Sequence, residues 1–143
     1  MTVKTILSTK GNDVVTIDPT ATLDAAVRIL TERKIGALVV LGADRRVIGI
    51  LSERDIVRAL SEQGAGALNA PLGQVMTRNV VNCAESDTVS AIMERMTTGK
   101  FRHLPVVEQD RLIGIVSIGD VVKHRLNEME RDTEALRDYI QTA

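Results

Sequence analysis

Residues 46–57 read Arg-Val-Ile-Gly-Ile-Leu-Ser-Glu-Arg-Asp-Ile-Val, and residues 111–122 read Arg-Leu-Ile-Gly-Ile-Val-Ser-Ile-Gly-Asp-Val-Val. Seven of the twelve positions are identical. Three more exchange one aliphatic side chain for another, and the last two replace Glu53-Arg54 by Ile118-Gly119. An internal repeat of this size makes the chain two copies of one supersecondary unit. It predicts two related clefts rather than one.

The surroundings of the two copies repeat as well. In the first half, Asp13–Ile17 is a short β-branched strand closed by Asp18-Pro19. Thr22 caps a helix whose apolar face is Leu23, Ala26, Val27 and Leu30, at the i, i+3, i+4, i+7 spacing of one helix face. Lys34-Ile35-Gly36 ends it. Ala37–Leu41 is an apolar strand, Gly42–Arg45 a turn, Val47–Leu51 a returning strand, and a helix runs from Ser52 to about Leu60. In the second half, Val80–Asn82 is the short strand, and Thr88 caps a helix with Val89, Ile92, Met93 and Met96 on one face. Leu104–Val107, entered through Pro105, is the apolar strand. After the turn at Glu108-Gln109-Asp110, Leu112–Val116 returns and a helix starts at Ser117. Val3–Leu7 and Leu72–Met76 are helical lead-ins, and the Gly/Ala/Ser-rich stretch Ser61–Pro71 links the halves. The fold class expected is α/β of the α+β type. Residues 1–62 form the first repeat, 63–71 the linker, 72–127 the second repeat and 128–143 a C-terminal helical extension.

The bulk numbers narrow the function. Of 143 residues, 44 % are hydrophobic and 26 % charged, as in an ordinary globular protein. Phe101 and Tyr139 are the only aromatic residues, so the core is aliphatic. The net charge of −1 argues against nucleic-acid binding. Cys83 stands alone, which excludes an intrachain disulfide and a thiolate metal cage. The N-terminus lacks the apolar stretch of a signal peptide, and no apolar run approaches the ~18 residues that span a bilayer. A cytoplasmic protein with no membrane contact is expected. No Cys–His or Ser–His–acid set is in view, and His103 and His124 offer no metal-ligand spacing, so the chain is read as non-enzymatic with no catalytic cofactor. His124, among charges on the final helix, reads as a surface residue.

The repeated element is Gly-Ile-x-Ser-x-x-Asp, spanning Gly49–Asp55 and Gly114–Asp120. Ser with an acid three residues later is a helix capping box, although Glu or Gln is the usual acid. Capping does not explain why Gly-Ile is also retained. A strand that turns into a helix at this point presents free backbone N–H groups to anionic oxygens. The serine hydroxyl can bind phosphate, and the aspartate can accept hydrogen bonds from a diol. Ser and Asp one turn apart therefore suit a ribose phosphate. No P-loop or dinucleotide-fold glycine pattern is present to supply such a site.

Two such elements, 65 residues apart and each in strand–helix order, resemble a tandem pair of CBS domains (cystathionine β-synthase domains), a Bateman module. The resemblance covers about residues 1–127. It implies two β-α-β-β-α repeats packed about a pseudo-two-fold axis, with two clefts that bind adenosine nucleotides. AMP comes first among these, with ATP, ADP or NAD(H) as alternatives. It implies that Asp55 and Asp120 hold ribose, and that Ser52 and Ser117 hold phosphate. The base is implied to lie against Val15-Thr16-Ile17 with Ile35-Gly36-Ala37 in one cleft. In the other it lies against Val80-Val81-Asn82 with Phe101-Arg102-His103-Leu104. Arg54, Arg102, His103, Lys34 and Lys100 are the cationic candidates for phosphate, and their uneven placement makes the clefts inequivalent.

The function expected is a regulatory module that senses adenosine nucleotides and acts on an effector protein in trans. The alternative is a structural dimerisation scaffold with empty clefts. A homodimer is expected because Val122, Leu126, Met129, Leu136 and Ile140 recur at 3–4 spacing, with Thr133 in the gap, on a helix that overshoots its half-domain. The resemblance adds side-by-side, disc-like pairing.

Overall fold

The apolar periodicity of each half produces the same pair of layers, helices on one face of a small sheet. The computed structural model describes residues 1–142, so the last residue of the expected 128–143 extension lies outside the described residues. Helix α1 (Val3–Lys10) leads in. The first repeat is then β1 (Thr16–Ile17), α2 (Leu23–Arg33), β2 (Ala37–Leu41), β3 (Val47–Ser52) and α3 (Glu53–Gln63). Short 3₁₀ turns at Gly64–Asn69 and Leu72–Gln74 connect it to α4 (Val89–Gly99), β4 (His103–Glu108), β5 (Arg111–Ser117) and α5 (Ile118–Thr142). Thr22 and Thr88 both cap as expected, accepting hydrogen bonds from the amides of Ala25 and Ala91 at 3.2 and 3.1 Å. Lys34 and Lys100 end α2 and α4 in left-handed conformation, at φ 54° and 57°.

The hairpins match residue for residue. Ala37 pairs with Ser52 and His103 with Ser117, and both ladders carry an irregularity before their turn. The short first strands do not match. β1 is parallel to β2, but it is confined to Thr16–Ile17 rather than starting at Asp13. The expected strand at Val80–Asn82 does not form; Cys83 alone makes a parallel bridge, to Val106. The cause is one residue. In the first repeat the Val39 amide donates to the Val15 carbonyl. Pro105 holds the place of Val39 and has no N–H to give to Val81, so the ladder starts only at Cys83.

Each lead-in packs on the other repeat. Val3, Ile6 and Leu7 of α1 lie in one core with Cys83, Val89, Ile92, Met96, Leu104, Val106, Val116 and Val121. Ala67, Leu72, Val75 and Met76 lie in the other core, with Leu23, Leu30, Leu38 and Leu51. Matching bridges tie the exchange, Thr2 to Thr88 and Thr22 to Pro71. Ser61–Pro71 is therefore no free linker, since Ala67 within it is buried. The exchange also accounts for the retained glycines. A Cβ on Gly49 would lie 2.5 Å from Met76 Sδ, and one on Gly114 would lie 2.9 Å from Leu7 Cδ2. Each glycine is the contact point for the other repeat's lead-in.

Candidate functional site

Both motifs sit where a strand becomes a helix, and both close as capping boxes. Around Asp55 the closure is complete. Its carboxylate accepts from the Ser52 amide at 3.0 Å and from the Ser52 hydroxyl at 3.2 Å. Its other oxygen accepts from Arg58 and from the Thr77 hydroxyl, each at 2.9 Å. Thr77 arrives on the second repeat's lead-in and also exchanges two backbone hydrogen bonds with Ile50. Among the described residues Asp55 is the one charged residue in the buried set, 3 % exposed. Both carboxylate oxygens are engaged, and so is the Ser52 hydroxyl.

Around Asp120 the same box forms, but fewer further partners cover it. The Asp120 carboxylate accepts from the Ser117 amide at 2.9 Å, and the Asp120 amide donates to Ser117 Oγ at 3.1 Å. The Ser117 hydroxyl also lies beside the carboxylate and helps to keep it charged. The remaining partner is Lys10, at the end of α1. Its ammonium donates to Asp120 Oδ2 at 2.6 Å and to the Ile115 carbonyl at 2.8 Å. Lys10 and Asp120 keep 30 % and 23 % of their side-chain surface exposed, so a solute can reach and exchange with this pair. α1 and α5 enclose a groove of about 270 Å³ here, which includes Thr9, Lys10, Asp120, Lys123 and Arg131. His124 lines it too, paired with Glu128 at 3.4 Å, so it is half-buried in the groove rather than a plain surface residue. A second groove of about 260 Å³, between α2 and α3, is mostly apolar and does not include Asp55.

Burial raises the Asp120 pKa, but the Lys10 hydrogen bond and the Ser117 amide outweigh it and hold the carboxyl below its ordinary 3.8. Beside it, burial pushes the His103 imidazole below its ordinary 6.5. Lys10 adds to that, while Asp120 and Glu53 oppose it. Lys10, Arg102, His103, Asp120 and Glu53 thus form one mixed-charge cluster where the starts of β2 and β4 meet. His103 Cε1 lies 3.4 Å from the place of a Cβ on Gly36. Such a cluster offers a carboxylate to a diol, and a hydroxyl and cations to a phosphate.

The exchange of lead-ins corrects the expected grouping of residues. Lys10 and Asn12, upstream of Thr16, both bond to β5 carbonyls, and Lys10 reaches Asp120 rather than Asp55. Val80 follows Thr77, which bonds Asp55, so that segment enters on the Asp55 side. Asn82 is exposed, and its carbonyl turns to Arg95 of α4. Four expected residues have side chains committed elsewhere. Leu104 and Ala37 are core, Phe101 packs on the second core, and Ile35 lines the groove between α2 and α3. Arg54 donates to the Lys100 carbonyl at 3.2 Å, fastening α3 to the end of α4, while Lys34 and Lys100 are exposed. Sequence reasoning missed Lys10, Thr77 and Arg58. Arg58 stands one turn beyond the Ser-x-x-Asp motif and was legible by spacing. Lys10 and Thr77 come from the other repeat's lead-in and were not. Among the described residues no cluster of His, Cys, Asp and Glu is arranged to hold a metal ion, and no helix is long and apolar enough to cross a membrane.

The CBS domain profile matches residues 3–62 and 72–127, and the chain belongs to the CBS-domain family. It is 35 % identical over 120 residues to CBSX3, a mitochondrial CBS domain-containing protein of Arabidopsis thaliana. That match covers 81 % of this chain and only 58 % of the relative's length. Among solved structures, a CBS-domain containing protein from Agrobacterium tumefaciens is 50 % identical, with a TM-score of 0.84. The alignment covers 87 % of this chain and 99 % of that one. The CBS domain pair of protein MJ0100, solved with 5′-methylthioadenosine and S-adenosyl-L-methionine, is 25 % identical with a TM-score of 0.80. There the coverage is 90 % and 98 %.

Proposed function

We propose that the protein is a regulatory, non-catalytic module that binds an adenosine nucleotide in the Asp120 cleft. AMP is the first choice and ATP, ADP or NAD(H) the alternatives. The observation that carries this reading is the contrast between two copies of one motif. Asp55 is sealed by Ser52, Arg58 and Thr77, whereas Asp120 has only Ser117 and one exchangeable lysine and keeps 23 % of its side-chain surface exposed. The adenosine-containing ligands of the MJ0100 pair support the ligand class. In this reading the ribose hydroxyls replace Lys10 on Asp120. The freed ammonium turns to the phosphate together with Ser117, Arg102 and His103. Because Lys10 ends α1, and α1 packs on β5 and α5, its release passes occupancy to the outer surface. A homodimer in the cytoplasm then presents that surface to an effector in trans.

Calorimetric titration of AMP, ATP, NADH and S-adenosylmethionine into wild type, Asp120→Ala and Lys10→Ala tests it. Loss of the Asp120 contact should weaken binding by about 1.5–3 kcal/mol, roughly 10–150-fold. Lys10→Ala should weaken the phosphate-bearing ligands more than S-adenosylmethionine. Wild-type affinity in Asp120→Ala would refute the ribose assignment. If wild type binds none of the four, a scaffold with empty clefts replaces this reading.

A further inference from the structure

α5 keeps a heptad seam open that the domain does not use. Val122, Leu126, Met129, Leu136 and Ile140 are each 48–64 % exposed. With Thr133 they fall at alternating intervals of four and three, the a/d spacing of a left-handed coiled coil. Leu126, Thr133 and Ile140 are a positions, and Val122, Met129 and Leu136 are d positions. Thr133 satisfies its hydroxyl on the Met129 carbonyl at 2.8 Å, which leaves its methyl for the seam. Within the chain α5 packs on α1 and α4, and the groove beside α1 is lined by Lys123, His124, Asn127, Glu128 and Arg131, none of them an a or d position. At about 1.5 Å per residue, the 25-residue helix is ~37 Å long. Past Val121 no residue of α5 is buried.

We infer that the occupant of this seam is α5 of a second copy, parallel and in register. The charges beside the seam select that arrangement. The g positions carry Arg125, Asp132 and Tyr139, and the e positions carry Lys123, Glu130 and Arg137. In a parallel dimer each g residue meets the partner's e residue five positions on. Arg125 then meets Glu130 of the partner subunit, and Asp132 meets Arg137 of the partner subunit, and both pairs attract. In the antiparallel arrangement that aligns the same layers, e faces e and g faces g. Glu130 would meet itself, Asp132 would meet itself and Lys123 would meet Arg137, three like-charge encounters, while Arg125 would meet the uncharged Tyr139. Arg125, which rests on Glu128 at 3.3 Å in the single chain, is free to swing to the new partner. This dimer rests on α5 alone and stands whether or not the Asp120 cleft binds a nucleotide.

Light scattering and mild oxidative crosslinking of the full chain test the inference. The wild type should be a dimer at micromolar concentration, and Leu136→Glu should be a monomer with unchanged helix content. Glu130→Arg should weaken dimerisation roughly tenfold, because two attracting pairs become repelling. The double variant Arg125→Glu with Glu130→Arg should restore it. Ile140→Cys should crosslink in good yield, since parallel a positions meet, while Asp138→Cys, on the outer face, should not. Cys83 is buried and its thiol is pushed up to about 12, so it does not compete. A monomeric wild type would overturn the inference, as would a dimer untouched by Leu136→Glu. A dimer in which Ile140→Cys crosslinks no better than Asp138→Cys would overturn the parallel register.

Discussion

At the scale of single residues, the duplicated aspartates have taken different work. Asp55 bridges three partners from two repeats and is buried, so its removal is a stability lesion. Asp55→Ala takes away a cap and leaves Thr77 and the Ser52 amide unpaired. We expect a loss of about 2 kcal/mol, seen as a drop of roughly 4–8 °C in Tm by calorimetry. A Tm equal to wild type would show that the cluster carries no stability. His103 offers a pH test. Burial and Lys10 favour its neutral form in the fold. Its contribution to stability is therefore full above about 6.5 and is lost as pH falls from 6.5 toward the depressed folded value. An NMR titration of the ligand-free protein should place the His103 midpoint below 6.5, and saturation with AMP should move it upward. A midpoint that AMP leaves unmoved would remove His103 from the phosphate contacts.

At the scale of elements, the glycine in each motif belongs to the packing of the lead-ins. Gly114→Ala places a methyl 2.9 Å from Leu7 Cδ2, in the core that α1 completes. A cost of about 1–3 kcal/mol is expected. Urea titration should show the midpoint fall without a change in slope; an unchanged midpoint would mean that α1 yields freely. Most elements were legible from sequence, and for local reasons. Thr22 and Thr88 declare their helices by capping, and the Ala37–Leu41 and Leu104–Val107 runs declare the inner strands. The misreading of Val80–Asn82 has an equally local cause, Pro105, but its effect falls on a segment more than twenty residues earlier in the chain. The Asp120 site was half legible. Ser117 and Asp120 are announced by the repeat, whereas Arg102 and His103, with Gly36 and Ala37 as their counterparts, came only from the family resemblance. Lys10 is invisible to it, because nothing in residues 1–10 records that α1 crosses to the other half.

At the scale of the whole molecule, the exchanged lead-ins make each repeat depend on the other. A fragment of residues 1–70 lacks Leu72, Val75 and Met76 from its own core and leaves Val3, Ile6 and Leu7 without theirs. Such a fragment should be largely unfolded by circular dichroism at 25 °C, and should regain structure when mixed with residues 71–143. A cooperative thermal transition in the lone fragment would contradict that interdependence. The same exchange gives each motif a lid from the opposite repeat, Thr77 over Asp55 and Lys10 over Asp120. Only the second lid is a surface-accessible charge, and the proposed binding mode has the ligand displace it. The stoichiometry of AMP bound at saturation, measured by equilibrium dialysis on the wild-type chain, tests this division most directly. One AMP per chain is expected; two per chain would contradict the division between the two aspartates, and none would contradict AMP as the ligand of the Asp120 cleft.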